Sequence, residues 1–138
     1  MNSVIDLVLT DDDCFNRGDL DGSLDHYSFP VAVLLPCRHE TYENRDNARA
    51  ALSRIIEENA AIGVTRIDTE VISCFTDVNQ VSMISARKTR LDKEGNPVSS
   101  YTSTYAAHLI EGKWKFVSLS VDDKNWRENG ACHHSSFQ

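Results

Sequence analysis

Hydrophobic positions along this chain keep helical spacing over its first sixty residues and then switch to alternation. Ser3 followed by Asp6 forms an S-x-x-D capping box, which predicts a helix from about Val4 to Arg17. At 100° per residue Val4, Leu7, Val8, Cys14 and Phe15 share one sector, the apolar stripe of an amphipathic helix, and Asp11 falls inside it. Gly18 ends this element, and Asp19 caps a short second helix through about Tyr27. Pro30 stops further helix, so Val31 to Leu35 reads as a buried strand closed by Pro36, followed by a turn and a short return strand to Tyr42. Asn44 or Asp46 caps a third helix carrying Ala48, Leu52, Ile55, Ile56, Asn59 and Ile62 on one side, and Gly63 ends it.

From Thr65 the period is two. Ile67, Thr69, Val71, Ser73 and Phe75 oppose Arg66, Asp68 and Glu70, and Val81 to Leu91 returns the chain. Gly95-Asn96-Pro97 makes the next turn. The stretch 99–121 then gives two long β-runs hinged at Glu111-Gly112, where glycine supplies the positive φ of a tight hairpin. Helices, a strand pair, a helix and four long strands predict an α+β fold: a strongly curved antiparallel sheet wrapped as a cone around a long N-terminal helix, with three helices in all. Residues 1–123 form one domain, and residues 124–138, a polar stretch without periodicity, form a tail.

Composition narrows the function classes. A chain of 138 residues supports a single core, and its net charge of −7 repels a phosphate backbone, so nucleic acid is not an expected partner. VAVLL at 31–35, among the longest apolar runs, is far too short to span a bilayer. The opening MNSVIDLVLTDDD lacks the basic and small-residue features of a signal peptide, so a cytoplasmic location is the expectation. Cys14, Cys37, Cys74 and Cys132 form no C-x-x-C pair, which predicts reduced packing thiols rather than a disulfide frame or a zinc site. Cys132-His133-His134 and Asp11-Asp12-Asp13 lack ligand spacing for zinc or calcium, so neither metal nor cofactor is expected.

FNRGDLDGSLDHY at 15–27, the helix after a short hairpin, and EGKWKFVSLSV at 111–121 resemble the nuclear transport factor 2-like superfamily, which includes ketosteroid isomerases, SnoaL-type cyclases and scytalone dehydratases. The resemblance covers roughly residues 4–123. It implies a cone-shaped apolar pocket and a homodimer paired through the outer sheet face. Counting from the NxGDLDG-like stretch, the isomerase base falls at Leu35 before Pro36, its oxyanion-hole Tyr at Asp11, and its oxyanion-hole Asp near Ala106. A leucine cannot deprotonate a carbon acid, so steroid isomerisation of that type is not expected. The dehydratases are similar in placing an Asp on the first helix, a Tyr on the second and a His on a late strand, which maps onto Asp11, Tyr27 and His108.

These residues define the expected site. Asp11 would hold or deprotonate His108, His108 would move a proton near neutral pH, and Tyr27 would donate to a developing oxyanion. Phe15, Leu35, Thr104, Ala106, Val117 and Leu119 would line the hollow around a small apolar organic molecule. Tyr101, Tyr105, Trp114 and Phe116 would lie on the opposite, outer face as the dimer surface. Three functions remain open: acid–base catalysis on a carbonyl or hydroxyl compound, ligand binding without turnover, and dimerisation alone.

Overall fold

The computed structural model describes residues 3–76 and 79–123. Helix α1 spans Val4–Asn16, with Ser3 and Asp6 closing the capping box reciprocally. Helix α2 is a single short piece, Leu20–Leu24, capped by Asp19. It ends before Tyr27, which the sequence spacing placed in the helix and which instead opens strand β1, Tyr27–Leu35. Strand β2 (Arg38–Tyr42) returns after a turn in which Cys37 takes φ 71°. Helix α3 is Arg45–Ala61, capped by Asn44. Strands β3 (Arg66–Thr76), β4 (Val81–Leu91), β5 (Pro97–Ile110) and β6 (Lys113–Asp122) complete the chain.

The six strands form one curved, unclosed sheet in the order β2-β1-β6-β5-β4-β3. Every neighbouring pair is antiparallel except β1 with β6, which is parallel, because the chain must cross from one end of the sheet to the other between them. The element order matches the expected α+β architecture. At the β5–β6 hairpin Glu111 and Gly112 have φ 50° and 82°, the paired left-handed conformation of a two-residue turn.

Two apolar clusters hold the layers together. The first joins Val4 and Val8 of α1 to Ile84, Tyr105, Ala107 and Phe116 of the sheet. The second joins Leu24, Val31, Val33 and Tyr42 to Ala48 and Ala51 of α3. The expected α3 stripe is only half covered, since Ile55 and Ile62 remain exposed.

The faces of β5 are the reverse of the expectation. Ser103, Tyr105 and Ala107 are buried against the helices, whereas Thr104, Ala106 and His108 point to the outer side. Strand β6 carries a bulge: Ala106 pairs with Ser118 but Ala107 with Phe116, leaving Val117 as the extra residue. Phe116 and Leu119 therefore both face the core despite their odd separation. Tyr105 and Phe116 are buried and Trp114 packs on the first cluster, so this set cannot be an outer dimer surface. Tyr101, on the parity of Ser103 and Tyr105, lies under Arg90 at 4.3 Å from its ring centre.

Cys14 and Cys74 are free thiols, as expected. Cys37 is disulfide-bonded, against the expectation. Nothing in the cysteine spacing announces such a bond. Among the described residues no helix is long and apolar enough to cross a membrane.

Candidate functional site

Asp11 is the centre of a buried polar group. Its position on the apolar stripe of α1 leaves it 6% exposed, where an unpartnered carboxylate would cost several kcal/mol. Three donors meet it. Ser23 Oγ donates to Oδ1 at 2.8 Å, the His26 ring nitrogen Nδ1 lies 2.9 Å from the same oxygen, and the Tyr27 hydroxyl approaches Oδ2 at 3.5 Å. All three come from the α2-to-β1 segment, which folds back on α1 because Gly18 and Asp19 turn the chain sharply. A carboxylate only accepts, so the hydrogen of a neutral His26 sits on Nδ1 and the Nε2 lone pair is left available. Burial, and then the charge of Asp11, holds the Tyr27 hydroxyl protonated well above the ordinary phenol range.

The next residue on the helix builds a second ionic centre. Asp12 lies about 100° round from Asp11 and accepts the Lys88 ammonium on both oxygens, at 2.7 and 2.6 Å, together with the Thr69 hydroxyl. Lys88 is 2% exposed and lies 5.1 Å from the Tyr105 ring centre. The pair ties α1 to β3 and β4, and Asp12 and Thr69 border an open cavity of about 400 Å³ apart from His26.

Beside Asp11 a cavity of about 610 Å³ opens on the flank of α1 towards the β5–β6 hairpin. Ser3, Leu7 and Thr10 form its helix wall, Trp114 and Lys113 its hairpin wall, and His26 stands between them. Its volume suits a small organic molecule. The lining is mixed rather than uniformly apolar. His26 Nε2 has no protein partner among the described residues, so the cavity meets an imidazole whose far side is fixed by a buried carboxylate.

The sequence matches the family model described as NTF2-like protein (DUF6841) over residues 12–124. This chain belongs to that family. The NTF2-like assignment agrees with solved structures. A Shewanella oneidensis NTF2-like protein of unknown function superposes with a TM-score of 0.71 at 16% identity, covering 87% of this chain and 96% of its own. A Nostoc punctiforme protein of unknown function with a cystatin-like fold gives 0.70 at 12% identity, covering 88% of each chain. A ketosteroid isomerase-like protein from Erwinia carotovora gives 0.67 at 14% identity, covering 86% of this chain and 91% of its own. At these identities the likeness is one of fold. A search of curated proteins finds no match.

Within this NTF2-like frame the expected site residues separate. Asp11 and Tyr27 come together, but His108 does not join them. It is exposed on the outer face, paired across the sheet with Val81 and Lys115, and His26 takes the place expected of it. Tyr27 turns its hydroxyl to Asp11 and is not among the residues bordering the described cavity. Thr104 and Ala106 lie on the outer side, with Thr104 bonded to Ser85 at 2.9 Å. Leu35 and Leu119 pack against the second core cluster, and Val117 is the bulge residue. Phe15 borders a separate cavity of about 300 Å³ between α1, α3 and β3. Arg38 and Glu40 of β2 pair with one another at 3.2 Å. The Cys132-His133-His134 motif lies outside the described residues.

Sequence reasoning missed His26 and Lys88. The signal for His26 was its spacing of three from Ser23 after a helix cap, one turn of chain facing back towards α1. For Lys88 it was alternation with Ile84 and Ala86, which places the amine on the buried face of β4.

Proposed function

We propose that this NTF2-like protein binds a small organic carbonyl or hydroxyl compound beside α1 and moves a proton on it through His26, with Asp11 as the residue that holds the imidazole. The supporting observation is the join of two features. A buried carboxylate fixes Nδ1 of His26, and the same ring borders a cavity of about 610 Å³. In this reading Nε2 removes a proton from carbon next to a carbonyl, and the electron pair moves onto the carbonyl oxygen. The imidazolium, stabilised by Asp11, then returns the proton elsewhere on the same molecule or to a departing hydroxyl, which leaves as water. Asp11 remains a carboxylate throughout.

The test is solvent-deuterium incorporation into small cyclic ketones, with the His26 ring followed by NMR. The expected result is that ketones exchanging with the wild type also shift the His26 ring signals, and that His26→Gln loses exchange by at least about 10²-fold. Ligands that shift His26 without any exchange would reduce the reading to binding alone. Ligands that never perturb His26 would overturn it.

A second reading concerns assembly, and one observation favours it. On the outer sheet face, the cross-strand row Phe75, Met83, Ala106, Ser118, Ala32 and the row Ser73, Ser85, Thr104, Ser120, Leu34 carry no Asp, Glu, Lys or Arg. Phe75 is 65% and Leu34 54% exposed. Two adjacent charge-free rows, flanked by Glu70, Arg87 and Asp122 on one side and Lys115 on the other, suit pairing with a second copy of the chain.

A further inference from the structure

The cavity beside His26 is bordered by side chains of both signs. The chain carries a net charge of −7, yet the hairpin wall of this cavity presents Lys113 and Lys115 on either side of Trp114. Two carboxylates also border the space, and both are engaged. Asp25 accepts the Arg45 guanidinium at 2.8 Å, and Asp6 accepts the Ser3 main-chain N–H in the cap of α1 at 3.4 Å. The Lys115 ammonium is turned onto the main-chain carbonyl of Asp25. That leaves Lys113, exposed and without a hydrogen bond or ion pair among the described residues, as the free cation at the rim. Trp114 packs its ring on the first core cluster together with Leu7, so both apolar contributors to the cavity are backed by the core rather than loose at the surface.

We infer that the ligand is an anionic ring compound: its carboxylate lies on Lys113, its ring lies against Trp114 and Leu7, and its reacting C–H or O–H faces His26. This rests on the reading of the His26 cavity given above and adds the ligand's charge to it. A charged hydrogen bond formed at a partly enclosed rim contributes more than a neutral one and makes affinity fall with salt. An indole wall suits a flat ring, and a volume of about 610 Å³ leaves room for one or two fused rings with a substituent. The largely apolar carbonyl or hydroxyl compound expected from the sequence would leave the ammonium of Lys113 to water.

The probes are 2-naphthoate and its uncharged isostere 2-naphthamide, titrated calorimetrically with the His26 ring signals as reporter of the site. The expected result is that naphthoate binds about tenfold more tightly than naphthamide at low salt. Lys113→Met should erase that preference, bringing naphthoate down to the affinity of naphthamide. Thr10→Trp, which fills the helix wall, should abolish binding of both. Equal binding of the two probes, blocked by Thr10→Trp, would overturn the anionic ligand and leave the cavity reading standing. A naphthoate preference that survives Lys113→Met would overturn the placing of the carboxylate on Lys113 and leave the cavity reading standing. Binding of neither probe, or binding indifferent to Thr10→Trp and silent at His26, would overturn the cavity reading together with this inference.

Discussion

Asp11 and Asp12 are neighbours in sequence, yet they serve different halves of the molecule. Asp11 gathers Ser23, His26 and Tyr27, whereas Asp12 holds Lys88. Replacing Asp11 with Asn should keep the fold but leave a developing imidazolium without its counter-charge, so exchange activity should fall by about 10²-fold with ligand affinity little changed. Kinetics alongside calorimetry check both arms. Lys88→Ala should destabilise by about 3–5 kcal/mol, because it strands a carboxylate that is largely enclosed. The double variant Asp12→Leu/Lys88→Met should recover most of that loss in denaturant melts, since an apolar pair fills the same space without desolvating charge. The tyrosines give a further residue-level test. Burial raises all four phenols, Tyr101 to about 12. Below pH about 10 they are protonated folded or unfolded; above it the unfolded chain releases protons that the native state keeps, so stability falls as pH rises. Phenolate absorbance should therefore appear late and together with loss of near-ultraviolet circular dichroism. At this scale the phase of Asp11 on its helix was legible. Its partner was not, because the chain offers five histidines of equal chemistry and only the folding of the short segment 18–26 brings His26 to the carboxylate.

Elements were read more surely than their faces. The capping box of α1, the Asn44 cap of α3, the strand pair, the third helix and the closing ribbon follow from propensity and spacing, and each is present. The Glu111-Gly112 turn is a case where the backbone alone explains the residue: φ of 82° suits glycine, so Gly112→Val should cost about 1 kcal/mol or more in thermal melts. The faces of β5 failed because its two sides, Thr-Thr-Ala-His and Tyr-Ser-Tyr-Ala, are both half polar, so alternation alone does not choose the buried one. The bulge on β6 added to this by interrupting the period at Val117.

For the whole molecule the outer sheet surface carries the remaining prediction. If a second copy covers it, Phe75→Asp or Met83→Lys should convert a dimer into a monomer in sedimentation velocity without lowering the melting temperature of the monomer, because both side chains are exposed. A wild type that sediments as a monomer at high concentration would remove this reading. The proposed chemistry does not depend on that outcome, since the cavity walls come from one chain. One further contact bears on how such a site would behave. The main-chain N–H of Phe116, a fully buried residue on a central strand, donates to the carbonyl of His26 at 2.8 Å. The histidine is thus moored at both ends, backbone to sheet and ring to helix, and has little freedom to swing toward an incoming guest. Such a base arrives already aimed, needs little reorganisation as charge develops, and selects its guests by fit instead of by closing over them.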